Sequence, residues 1–276
     1  MTKPSAILLG SKPGSIVALS TMLERGWKVR HVVASSRLDA AWHAKPPLRT
    51  FAAERGVSVL ETQRELPREP VDFVISYMFR YRVKAETRAL ARRGALNFHA
   101  APLPRFGGWA FYNVAILENA AEYGCSCHFM DDGFDTGPLL RVRRFPIDAA
   151  ALTAYSLEAL AQAEMVKLFC DFCAIAESGA ELPSVAQDPK HMRYMTREQF
   201  DALKAIPADA DDETVQRYAR AFWYPPYECA HVHVGASKAE VVPRIAKEGL
   251  AAMLQADALA VLQRTARDYS PPRDLS

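Results

Sequence analysis

The stretch Ser5 to Ser36, "SAILLGSKPGSIVALSTMLERGWKVRHVVASS", decides the fold class, because three kinds of segment follow one another in it. "SAILLG" reads as a strand. "PGSIVALSTMLERG" reads as a helix, with proline near its start and glycine past its end, and "WKVRHVVASS" reads as the next strand. Further along, "VSVL", "DFVISYMF" and "ALNFH" read as strands, with "VKAETRALARRG" predicted as the helix between the last two. Strand and helix in alternation imply an α/β fold, a Rossmann-like, mostly parallel sheet with flanking helices. Ligands of such sheets bind beyond the carboxyl ends of the strands.

Downstream the pattern changes twice. "YGCSCHFMDDGFDTGPLLRVRRFPI", Tyr123 to Ile147, predicts two strands around a turn built on "DDGFDTG", and "LTAYSLEALAQAEMVKLFCDFCAIAESG" predicts a long helix stopped at Gly179. The proline-punctuated link "AELPSVAQDPKHM" places a domain boundary between Pro183 and Pro189. Helices near Thr196 to Ala205 and Asp212 to Phe222, strands around "CAHVHVG" and "KAEVVP", and a helical tail complete the chain. The expected division is therefore 1–185, a catalytic Rossmann-like domain, and 186–276, a smaller α+β domain for acceptor binding or dimerisation.

Composition narrows the classes of partner. The 276 residues carry 34 Lys/Arg against 32 Asp/Glu, and a net charge of +2 offers no argument for a nucleic-acid surface. No apolar run approaches a membrane span and the amino terminus lacks a signal-peptide pattern, so a cytoplasmic protein acting on a small molecule is expected. Five cysteines, an odd number without a regular framework, suit free thiols. The pair in "CDFC" lies inside a helical pattern with apolar neighbours and is assigned to core packing. His231 and His233 alternate on a strand with no third ligand nearby, which favours a surface or interface role over a metal site.

A dinucleotide site is the first chemistry that a parallel sheet suggests. The loop "GSKPGS" lacks both the GxGxxG spacing and the Gly-Lys-Ser/Thr ending of a P-loop. The second strand ends in Ser35, Ser36 and Arg37 rather than in an acidic residue for a ribose, which leaves a dehydrogenase as the weaker reading. More telling is "NFHAAPLPRFGGWAFYN", Asn97 to Asn113. Residues two apart on a strand share a face, so Asn97 and His99 project together at the strand's carboxyl end. One side chain is a fixed neutral donor and acceptor; the other takes and returns a proton near neutral pH. Asp135, in the glycine-flanked turn "GFDTG", is the third candidate, because a carboxylate held against an imidazole stabilises its protonated form. Asp131 and Asp132 compete with it, and on their own read as turn-formers or solvated charges.

"NFHAAPLP", "RFGG" and "MDDGFDTGPLL" together resemble the formyltransferase family that uses 10-formyltetrahydrofolate, over roughly Ser5 to Gln187. Asn97, His99 and Asp135 match the family's catalytic positions. Ala100 and Ala101 stand where the family usually has proline and a small residue. The resemblance implies 10-formyltetrahydrofolate as cosubstrate, without a metal, and a pterin slot lined by "YMFRYRV" (Met78, Phe79, Tyr81) and by the turn residues Asp131, Asp132 and Gly133. The implied acceptor is a primary amine, with Gly10, Ser11, Lys12, Arg105, Gly108, Trp109, Tyr112, Trp223 and Tyr224 as its candidate contacts. Phe111, Arg220 and Tyr227 are adjacent possibilities.

Among acceptors, a nucleotide-linked amino sugar fits best. Residues 186–276 hold nearly equal numbers of basic and acidic groups, against the basic surface expected for tRNA. "RYARAFWYPPYECAHVHVG" is similar to the start of the second domain in formyltransferases acting on sugar nucleotides and in related tRNA enzymes. The expected partners are thus the small amine and, through the second domain, another copy of the chain. Formyl-folate hydrolysis, methionyl-tRNA formylation and a non-catalytic folate- or nucleotide-binding module are the alternatives.

Overall fold

The structure is a computed structural model that describes residues 3–36, 47–108, 111–246 and 258–272. β1 (Ser5–Gly10) leads through α1 (Pro13–Glu24) to β2 (Lys28–Val33), and α2 (Leu48–Ala53) leads to β3 (Ser58–Leu60). β4 (Val71–Tyr77) and β5 (Ala91–His99) follow, with the short α3 (Ala85–Arg88) between them. The two-residue β6 (Gly107–Gly108) and α4 (Phe111–Leu117) precede the hairpin of β7 (Glu122–Phe129) and β8 (Leu139–Pro146). Seven strands form one sheet in the order β3-β2-β1-β4-β5-β7-β8. Its first five members are parallel, while β7 and β8 run antiparallel to their neighbours. The mostly parallel sheet expected from the alternation is present.

Both faces of the sheet are buried, the first under helices that include α1, α2 and α4, the second under the segments that flank α3, from which Val83 and Leu90 pack. On β1, Ala6 and Leu8 enter one buried cluster while Ile7 and Leu9 enter another, which is the two-residue alternation of a strand buried on both sides. On the first face α5 (Ala154–Ser178) brings Phe169 to 5.0 Å and Phe172 to 5.7 Å from the Phe98 ring, and Trp27 stacks on Phe73 at 5.6 Å. Thr153 caps α5 by accepting from Ser156 N, and Gly179 ends it at φ 79°, where a side chain would be strained. Cys170 and Cys173 are buried on this helix, and burial pushes the Cys170 thiol up to about 11, so "CDFC" is core and not redox machinery.

Two local expectations fail. The helix predicted over "VKAETRALARRG" is a single turn, because Ala91 onward is drawn into the sheet opposite Val71 and Phe73. Inter-strand pairing, with the Arg93 guanidinium 4.7 Å over the Phe73 ring, overrides helix propensity. The strand over "DFVISYMF" ends at Tyr77, since Met78 turns the chain out of the sheet at φ 50°.

Beyond the long helix, β9 (Tyr194–Met195), α6 (Arg197–Ala202), α7 (Asp212–Phe222), the hairpin β10 (His231–Val234) and β11 (Ser237–Glu240), and α8 (Ala258–Asp268) fold back on the sheet unit. α7 lies against α4, and α8 against α1 and α5. Ala221, Phe222, Ala230 and Leu262 join the same buried cluster as the sheet. Of the histidine pair, His233 is exposed but His231 is buried, because its backbone pairs with Lys204 and Ile206 instead of facing solvent. Among the described residues, no helix is long and apolar enough to cross a membrane.

Candidate active site

The carboxyl ends of β1, β4 and β5 carry the first side chains of the site. Asn97 and His99 leave β5 on one face as its periodicity requires. Ser76 near the end of β4 donates to Asn97 Oδ1 at 2.7 Å, which fixes the amide so that Nδ2 faces His128 and Asp135. The segment after His99 is built tightly. Ala100 and Ala101 are buried; Tyr123 Oη donates to the Ala100 carbonyl at 3.1 Å and Ser126 Oγ to that of Ala101 at 2.8 Å. Ser126 Oγ also accepts from Leu103 N at 2.9 Å. Side chains of β7 thus hold the segment that follows His99 in place.

Asp135 arrives from the β7–β8 turn. It adopts φ 58°, a left-handed conformation that costs a non-glycine residue about 1–2 kcal/mol. Its Oδ2 accepts from Gly108 N at 3.0 Å. Its Oδ1 lies 3.7 Å from His99 Nδ1, 3.6 Å from His128 Nε2 and 3.4 Å from Asn97 Nδ2. Burial would raise the carboxyl pKa, but His99, His128 and the Gly108 N–H together outweigh it and hold the group well below the usual carboxylate range. An ionised carboxylate therefore sits in a buried pocket with an imidazole on either side.

The hydrogen bonds define the tautomers. His99 Nε2 donates to the Phe106 carbonyl at 2.8 Å, leaving Nδ1 as the nitrogen that faces Asp135. His128 Nδ1 donates to the Phe129 carbonyl at 2.7 Å, so its Nε2 accepts from Asn97 Nδ2 at 3.0 Å. A proton taken up on His99 Nδ1 would lie against the Asp135 carboxylate. Sequence reading brought together Asn97, His99 and Asp135 but missed His128 and Ser76. His128 directly follows Cys127, which faces the opposite side of β7, and that alternation was the available signal.

The remaining candidates divide by what their side chains touch. Met78 turns the chain past β4, Phe79 and Tyr81 meet edge to face at 5.6 Å, and half-exposed Phe134 has the guanidinium of Arg82 5.4 Å over its ring. These surfaces suit a flat heterocycle. Asp131 is used inside its turn, accepting from Gly133 N at 3.0 Å and Thr136 Oγ1 at 2.7 Å, and Asp132 pairs with Arg88. Both carboxylates are therefore occupied within the protein. An open cavity of about 360 Å³ borders Asp135 between this turn and residues 192–194, lined by Leu103, Pro104, Phe134, Met192 and Tyr194. That volume is at the low end of small-molecule sites.

On the β1 side, Gly10 and Gly14 allow close approach: a Cβ on the first would stand 2.5 Å from Ser15 Cβ, and on the second 2.7 Å from the Tyr77 ring. Ser11 lies in the same loop, partly buried. Lys12 and Tyr224 meet, with Lys12 Nζ donating to Tyr224 Oη at 2.9 Å. Both also bond the buried Glu158, Lys12 across 3.1 Å, while Gln162 donates to the same carboxylate at 2.9 Å. The Lys12 charge is thereby neutralised within the protein. Arg105 is paired with Glu118, which also holds Arg193.

Two candidates for acceptor contact lie elsewhere. Tyr112 is buried, its ring 5.9 Å from that of Tyr123, because α4 turns that face into the core. Trp223 is buried against Cys229 and Ala246, since its carbonyl is tied to Tyr155 N at the head of α5. Phe111 takes the place expected of Tyr112, with its ring 4.8 Å from His99. Trp109 falls outside the described residues.

Comparison with known proteins agrees with this arrangement. Residues 26–171 match the formyl transferase family, and the chain belongs to it. A methionyl-tRNA formyltransferase of Myxococcus xanthus is 27% identical over 181 residues, 61% of this chain and 58% of that relative. The chain thus spans somewhat over half the length of such curated relatives. Among solved structures, an N-formyltransferase from Helicobacter canadensis in complex with folinic acid and dTDP-3-aminofucose aligns with a TM-score of 0.71 at 20% identity, covering 86% of each chain. A 4-N formyltransferase from Francisella tularensis gives 0.71 at 13% identity, over 87% of this chain and 96% of that one. At these identities the two structures show the shared fold.

Proposed function

We propose that the chain transfers the formyl group of 10-formyltetrahydrofolate to the primary amine of a nucleotide-linked amino sugar. The observation that carries this reading is the convergence of Asn97 Nδ2, His99 Nδ1 and the ionised Asp135 carboxylate at one point beyond β5. Attack of the amine nitrogen on the formyl carbon forms a C–N bond and a tetrahedral oxyanion. Asn97 Nδ2, whose contact to Asp135 is long at 3.4 Å, is free to turn a proton toward that oxygen, a contribution of roughly 3–4 kcal/mol in other acyl-transfer sites. The ammonium proton passes to His99 Nδ1, where Asp135 stabilises the cation. Breaking the bond to folate N10 then releases tetrahydrofolate, with the proton returned to that nitrogen.

Support for the sugar nucleotide as acceptor comes from the fold match over both chains' length to an enzyme captured with a dTDP-linked amino sugar. The balanced charge of residues 186–276 weighs in the same direction against a tRNA. Purified protein is mixed with 10-formyltetrahydrofolate and a panel of dTDP-, UDP- and GDP-linked amino sugars, with methionyl-tRNA and free amino acids as controls. Tetrahydrofolate release that requires an amino sugar supports the reading. Release without any amine would assign a hydrolase, and release only with methionyl-tRNA would move the acceptor to the nucleic acid.

A further inference from the structure

The turn that carries Asp135 is strained and holds the residue on which the proposed chemistry depends, so something must fix it. Two restraints are visible, and both come from residues 185–195, past the segment that matches the formyl transferase family. Val185 pairs with Leu139 at the start of β8 through bonds of 2.7 and 2.9 Å, which brings Gln187 under the turn. Gln187 Nε2 donates to the Asp135 carbonyl at 2.8 Å and to the Gly137 carbonyl at 2.7 Å. Six residues later, Gly107 N donates to the Arg193 carbonyl at 3.0 Å and β6 pairs with β9, which aims Gly108 N at Asp135 Oδ2.

An amide nitrogen is the one uncharged side-chain group of this length that can give two protons to two carbonyls at once. A carboxylate of the same shape would face both carbonyls with like partial charge. Gln187 Oε1 is itself buried without a hydrogen-bond partner among the described residues, a cost that a residue serving only to fill space would not carry. Gly137 tightens the geometry further, since a Cβ there would stand 1.9 Å from the Phe129 carbonyl oxygen. The turn is thus closed on one side by backbone and on the other by Gln187.

We propose that Gln187 is a positioning residue for Asp135: by pinning the carbonyls of residues 135 and 137 it fixes the turn that aims Oδ1 at His99 and Oδ2 at Gly108. The proposal rests on the reading of Asp135 as a catalytic carboxylate. It makes the link between the two units part of the active-site scaffold. Misplacement of a reacting group by about 1 Å costs on the order of 10²-fold in rate, which sets the size of the effect.

The test uses the full chain carrying Gln187→Glu or Gln187→Met, with 10-formyltetrahydrofolate and whichever amino-sugar nucleotide the wild type formylates. The expected result is a fall in kcat of roughly 10²-fold with KM for 10-formyltetrahydrofolate little changed. Lowering the pH should restore part of the Q187E rate relative to wild type, because the protonated acid again donates one bond, and should restore nothing in Q187M. Independently of any acceptor, the amide resonance of Gly108 in an NMR spectrum reports its bond to Asp135 and should move in both variants. Unchanged kcat, or a loss fully matched by lost folded protein with Gly108 unmoved, overturns the proposal. Should Q187E fail to fold, Q187M decides alone. A wild type that formylates nothing counts against the proposed function, while the Gly108 resonance still tests Gln187.

Discussion

Replacing Asp135 by Asn isolates the role of one charge. Asn is nearly isosteric, tolerates the left-handed φ of 58°, and keeps an oxygen for Gly108 N, so the turn should keep its shape. What disappears is the negative charge 3.7 Å from His99 Nδ1. Both side chains are largely buried, so an effective dielectric constant of about 20 is a fair choice, and unit charges at this separation then interact by about 4 kcal/mol. If that interaction exists only once His99 carries the amine proton, its loss lowers kcat by roughly 10³-fold. The assay is tetrahydrofolate release under saturating acceptor, paired with binding of unreactive 5-formyltetrahydrofolate to show that the site is intact. A D135N rate within tenfold of wild type would refute the reasoning. Stability offers a second readout. Because the folded-state pKa of Asp135 is depressed, its carboxylate stabilises the fold above the ordinary value of about 4, and that contribution fades as the pH falls through the lower folded-state value. The stability gap between wild type and D135N should therefore be open at neutral pH and narrow below about pH 4.

Three other substitutions probe the supporting structure. His128→Leu removes the acceptor of Asn97 Nδ2, at a cost of about 1–3 kcal/mol for the stranded donor, and should lower kcat while sparing folate binding; equal rates would show that Ser76 alone orients the amide. Lys12→Met leaves Glu158 buried with its charge unneutralised and should destabilise the chain by about 3 kcal/mol in urea unfolding. The double variant K12M/E158Q should recover most of that, and a double variant no more stable than K12M would contradict the pairing. Gly108→Ala should cost about 1–3 kcal/mol, because φ is 77° and the new Cβ would stand 2.7 Å from the Tyr194 ring. Gly56→Ala, at φ 68° with no described heavy atom within 4 Å of the new Cβ, is the control: equal losses at the two sites would discount the Tyr194 contact.

Legibility followed the range of the interactions concerned. The long helix over Ala154–Ser178 and its stop at Gly179 follow from local periodicity and a left-handed cap, and they stand where expected. The short α3 and the end of β4 at Tyr77 do not, because the first is decided by pairing with a strand distant in sequence and the second by the left-handed turn at Met78. The same distinction divides the site residues. Asn97 and His99 share a face by strand alternation alone, whereas the burial of Tyr112 and Trp223 depends on how α4 and the head of α5 pack against later segments. Lys12 shows the cost of reading charge without context: an exposed-looking basic residue in a glycine loop is neutralised by a carboxylate 146 positions away.

From the sequence by itself came the α/β class, the alternation that puts Asn97 and His99 on one face, and Asp135 as a candidate partner for them, since periodicity and residue type are local properties. Tertiary structure decided which nitrogen of His99 faces Asp135, that His128 stands on the carboxylate's other side, and that residues 185–195 clamp the turn from behind. These depend on hydrogen-bond directions between segments far apart in the chain, and no pattern within any one segment encodes them.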